Sequence, residues 1–68
     1  MNKFKERLEE LRREKGVAYF TISKEVGINH TTIDRWASGK TLPSIDSIIV
    51  LSEYFNVTCG QLIGTEDL

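Results

Sequence analysis

Sixty-eight residues, 40% of them hydrophobic and 28% charged, suffice for one small globular domain and leave too few for a second core. The apolar run Ile48-Ile49-Val50-Leu51 is far too short to cross a bilayer, and no apolar stretch follows the first lysines as a signal peptide requires, so the chain is expected to be soluble and cytoplasmic. The net charge of −1 hides an asymmetry: nine bases and six acids give residues 1–42 a charge of +3, whereas residues 43–68 hold four acids and no base, which suggests one end that faces an anion.

The first segment, Asn2 to Lys15, carries Phe4, Leu8 and Leu11 at i, i+4 and i+7 among charged residues, the pattern of an amphipathic helix. Gly16 is its natural stop. A second helix is expected from Ala18 to Val26, with Ile22 and Val26 facing inward, broken by Gly27. Asn29 suits the cap of a third helix from His30 to about Ala37, because its side chain accepts a backbone N–H two or three residues on. Ile33 and Trp36 give that helix its apolar side, and Ser38-Gly39-Lys40 closes it. Pro43 follows in a loop, where a missing N–H costs nothing. Ser44 caps a fourth helix, Ile45 to Phe55, with Ile45, Ile48, Leu51, Ser52 and Phe55 as the expected inner stripe. Asn56 ends it, Thr58 caps a short fifth helix through Ile63, and Gly64 stops that one. Thr65-Glu66-Asp67-Leu68 reads as a frayed tail on a domain spanning 1–64. No segment alternates with the period of a strand, so the fold class is all-α.

The residues that carry chemistry are few. A lone cysteine, Cys59, excludes an internal disulfide and reads as a small buried apolar residue. One histidine and one cysteine with no pairing spacing leave no zinc site, and no cofactor or metal is expected. The sequence shows no nucleophile beside a base, no carboxylate cluster and no glycine-rich phosphate loop, so it does not read as an enzyme.

Tyr19 to Trp36 is the informative stretch. Two short helices joined by a tight turn pack at a steep angle. Ile22, Val26, Ile28, Ile33 and Trp36 supply the apolar contacts for that packing. Ser23 is small enough for close approach, and Gly27 supplies a positive φ. The chain resembles the Cro/CI-type (XRE, lambda-repressor-like) helix-turn-helix family from Phe4 to Gly64. The resemblance rests on Glu14-Lys15-Gly16-Val17, Glu25-Val26-Gly27-Ile28-Asn29 and Thr32-Ile33-Asp34-Arg35-Trp36. Ser38-Gly39-Lys40 with Pro43-Ser44, and Asn56-Val57-Thr58 before Leu62-Ile63-Gly64, complete it. It implies a compact five-helix domain whose third helix enters the DNA major groove.

Roles follow from that resemblance position by position. His30 and Thr31 fall at the exposed start of the recognition helix, where members read base edges. Arg35 falls one turn on, where its fork suits guanine O6 and N7. Asp34 orients Arg35, rejects a wrong base, or is a solvated charge. Thr32 is placed for a phosphate or a helix cap. Ser38, Lys40 and Thr41 occupy the loop that touches the sugar-phosphate backbone, which positions the protein without reading sequence. The first N–H groups of the second helix also face a phosphate.

Two positions depart from the family. Tyr19 stands where a polar residue, commonly Gln, is usual; its hydroxyl can still reach a phosphate. Phe20, where a polar or acidic residue is usual, either packs under the first helix or joins a partner surface. Lys3, Lys5 and Arg7, interspersed with glutamates, read as a solvated face.

Ile49, Val50 and Tyr54 lie off the inner stripe and form a candidate dimer patch, in keeping with members that bind two half-sites of an inverted repeat. The expected function is a sequence-specific DNA-binding transcriptional regulator, a repressor, acting as a homodimer on double-stranded DNA. The alternative is an antitoxin-like or adaptor module that keeps the fold without binding DNA.

Overall fold

The computed structural model describes residues 2–68; Met1, the first residue of the expected domain, lies outside them. Five helices are found among the described residues: α1 (Phe4–Lys15), α2 (Tyr19–Val26), α3 (His30–Ser38), α4 (Ile45–Phe55) and α5 (Cys59–Ile63). The architecture is the all-α, lambda-repressor-like arrangement, with α2 and α3 as the helix-turn-helix.

The helix ends follow local chemistry. Asn29 Oδ1 accepts the Thr31 N–H at 2.8 Å, and Ser44 Oγ accepts that of Ser47 at 3.2 Å. Thr58 and Gln61 form a reciprocal capping box, with the Gln61 N–H donating to Thr58 Oγ1 and the Thr58 N–H to Gln61 Oε1, both at 2.9 Å. Each cap satisfies N–H groups that the helix cannot pair internally. Gly27 turns the chain between α2 and α3 at φ 75°, and Asn56 ends α4 in the same left-handed region at φ 58°. Asparagine is among the few side-chain-bearing residues that tolerate that conformation.

One core joins the helices: Phe4, Leu8, Leu11, Ile22, Ile33, Trp36, Leu51 and Leu62 are buried. Phe4 meets Trp36 edge-on with ring centroids 6.0 Å apart, which ties α1 to α3. Ser23 and Ser52 are also buried. Each donates its hydroxyl back to a carbonyl of its own helix, Phe20 at 2.6 Å and Ile49 at 2.8 Å, so neither is left unpaired.

Three expectations are corrected. Ile45 is 79% exposed and not part of the inner stripe, which runs through the partly buried Ile48 and Phe55 and the buried Leu51 and Ser52. The helical period extrapolates back to 45, but this is the first residue after the cap, where the helix projects beyond the core. Cys59 is half-buried and places its thiol 3.6 Å from Ser52 Oγ. The segment expected to fray is tethered: Arg7 Nη1 donates to the carbonyls of Gln61 at 2.5 Å and Glu66 at 2.9 Å, and Gln61 Nε2 donates to that of Asp67 at 3.0 Å. Arg7 thus clasps the end of the chain to α1. No helix among the described residues is long and apolar enough to cross a membrane.

Candidate nucleic-acid interface

The third helix is two-sided. Ile33 and Trp36 are buried, while His30, Thr31, Asp34, Arg35 and Ser38 are exposed. Positions 30, 34 and 38, and 31 and 35, recur every four residues, so these five side chains share one solvent-facing surface. That surface brings together His30, Thr31 and Arg35, the residues expected at base edges, with Ser38 at its end. Lys40 and Thr41 are exposed in the loop that follows, and Thr32 sits half-buried at the edge of the surface. The Arg35 carbonyl accepts the Lys40 N–H at 2.9 Å and the Ser38 hydroxyl at 3.1 Å, which folds the loop back onto the end of α3.

Both ion pairs found among the described residues belong to Glu9. Among the described residues neither Arg35 nor Lys40 makes an ion pair, Arg35 with Asp34 included. Lys5, exposed as a solvated face requires, lies near the same end of α3. Its side chain crosses Gly39, where a Cβ would come within 3.3 Å of Lys5 Cδ. The signal is tertiary, since α1 reaches the end of α3 only in the folded chain.

Tyr19 is differently placed. Its hydroxyl donates to Glu9 Oε1 at 2.5 Å, and the Arg12 guanidinium lies over its ring, 5.0 Å from the centroid. Glu9 also accepts from Arg12 Nη2 at 2.7 Å and Arg13 Nε at 2.8 Å. Hydrogen bonds from Arg12 first, then Tyr19, hold the Glu9 carboxyl down at about 2, below its ordinary 4.5. Burial, seconded by Glu9, pushes the Tyr19 phenol up to about 12. The Tyr19 hydroxyl thus bonds the head of α2 to α1. Ala18 offers no side-chain cap, so the first N–H groups of α2 have no side-chain acceptor.

Phe20 does not pack under α1. It is 54% exposed and meets the ring of His30 edge-on, with centroids 5.8 Å apart. Lys24, one turn along α2, holds its ammonium 4.8 Å from the same ring centroid. The spacing of 20 and 24 was visible in the sequence; their meeting with His30 was not.

The expected dimer patch divides. Ile49 and Val50 are exposed, but Tyr54 is half-buried; its hydroxyl donates to Glu25 at 2.5 Å and its ring lies under Lys15. Ile45, one turn before Ile49, extends the open apolar surface instead, with Leu42 exposed in the preceding loop.

The helix-turn-helix family model matches residues 8–62. The chain belongs to that family, in its XRE-type branch. Over 65 residues it is 32% identical to the HTH-type transcriptional activator BcrR of Enterococcus faecalis, covering 96% of this chain and 32% of that protein. It is 33% identical over 61 residues to the HTH-type transcriptional regulator AnsR of Bacillus subtilis (strain 168), covering 90% and 53%. A crystal structure of a transcriptional regulator from Listeria innocua superposes with a TM-score of 0.88 at 28% identity, covering all of this chain and 64% of that one. The helix-turn-helix chain thus spans a third to about half the length of these curated relatives. Both are named as transcriptional regulators.

Proposed function

We propose that this chain is a sequence-specific DNA-binding transcriptional regulator that reads the major groove with the exposed side of α3. The observation that carries the reading is the convergence of His30, Thr31 and Arg35 on one solvent-facing surface, with Lys40 and Lys5 flanking its end and none of these bases in an ion pair among the described residues. Arg35 donates to guanine O6 and N7, and His30 and Thr31 contact neighbouring base edges. Lys40, Ser38, Thr41 and Thr32 hold the sugar-phosphate backbone, joined by the uncapped N–H groups at the start of α2. Tyr19 supports that end of α2 through Glu9 and does not give its proton to the DNA.

The regulator acts in the cytoplasm as a homodimer on an inverted repeat, with the copies meeting through Ile45, Ile49 and Val50 on the outer side of α4. Occupying a promoter represses transcription by exclusion. One relative about three times as long bears the name of an activator.

The test is binding of a fluorescent duplex at rising salt. Several phosphate contacts predict a linear fall of log affinity with log salt, at a slope near −0.9 per contact. A folded protein with no measurable affinity at low salt would favour the adaptor reading.

A further inference from the structure

Phe20 is an exposed phenylalanine whose ring lies between His30 and the Lys24 ammonium. Its neighbours in sequence, Ile22 and Ser23, face the core, so the helix turns Phe20 away from it. Its own carbonyl is anchored by the Ser23 hydroxyl at 2.6 Å, and its ring stands edge-on to His30, the first residue of α3. Edge-to-face contact with one ring and the Lys24 ammonium over its face limit where the ring can swing. The side chain is therefore held in place, half in water, beside a residue assigned to base contact.

The floor of the major groove offers one apolar group, the 5-methyl of thymine, and phenylalanine is among the side chains that contact it. We infer that Phe20 is a specificity-determining residue that reads a thymine methyl next to the base pair contacted by His30, and that His30 and Phe20 act as one reading unit across the α2–α3 turn. This rests on the DNA-binding reading above and adds a base contact from α2 to those from α3. Lys24 lies at the outer end of the unit as a phosphate contact.

The test uses the duplex that the protein selects from a random pool. Each thymine is replaced in turn by deoxyuridine, which lacks only the methyl, and affinity is measured for wild type, Phe20→Ala and Phe20→Leu. Circular dichroism checks that the variants are folded. Wild type is expected to lose about fourfold in affinity at one thymine of each half-site, the weight of one buried methyl. Phe20→Leu keeps part of that discrimination, and Phe20→Ala binds both duplexes equally. A selected site with no methyl-sensitive thymine overturns the inference and leaves the DNA-binding reading intact. So does discrimination that persists in Phe20→Ala, or a Phe20→Ala variant that binds the unsubstituted duplex as tightly as wild type does, the behaviour of a residue kept for a protein partner. Failure to select any site overturns both.

Discussion

Tyr19 donates its hydroxyl to Glu9 across 2.5 Å and so ties the head of α2 to the middle of α1. The same carboxylate also accepts from Arg12 and Arg13, which is why it stays ionised to about pH 2. A carboxyl held below its ordinary value in the folded state stabilises the fold above the unfolded value, and the gain is lost as pH falls through the folded one. Thermal stability is expected to drop between about pH 4.5 and pH 2 in wild type. In Tyr19→Phe the Glu9 midpoint, followed by carboxyl-carbon NMR, moves upward. An unchanged midpoint would show that the arginines alone set it.

Arg35→Ala and Lys40→Ala should differ in kind. Losing a bidentate guanine contact costs about 1–3 kcal/mol at one base of each half-site and relaxes preference there. Losing a phosphate contact weakens all sequences alike and lowers the salt slope by about one per protomer. Salt titrations on a selected duplex and on a scrambled one separate the two. Equal behaviour of the variants would count against the division of roles.

The outer side of α4 is open to a direct test. Ile49→Glu should leave the melting temperature little changed, because surface substitutions away from special features shift stability by about 0.5 kcal/mol or less. It should also make the protein monomeric in sedimentation and reduce binding of a two-half-site duplex to that of a single half-site. A dimer that survives Ile49→Glu would place the contact elsewhere.

Core and edge should separate as sharply. Ile33 is fully buried and Ile45 is 79% exposed, although both are isoleucines on short helices. Ile33→Ala is expected to cost about 2–5 kcal/mol, much of the stability of so small a domain. Ile45→Ala should cost almost nothing in folding. Urea titrations of the two variants read the difference.

The contrast between those isoleucines marks what sequence reading could reach. Helix ends were legible because their causes are local: Asn29, Ser44 and Thr58 cap within three residues, and Asn56 turns the chain by itself. The inner stripe of α4 was legible except at Ile45, since periodicity does not say where the core stops. Side-chain partners far apart in the chain were not legible. Tyr19 finds Glu9, Tyr54 finds Glu25, Lys5 crosses Gly39, and Phe20 meets His30, each only once helices have packed. Those meetings give Tyr19 an internal partner on α1 and set Phe20 beside His30.

The central claim is that the exposed side of α3 reads DNA sequence. Selection from a random pool of duplexes, run on wild type beside Arg35→Ala, tests it most directly. An enriched inverted repeat, with the variant losing preference at one base of each half-site, is the predicted result. A folded protein that enriches no motif at low salt would contradict it.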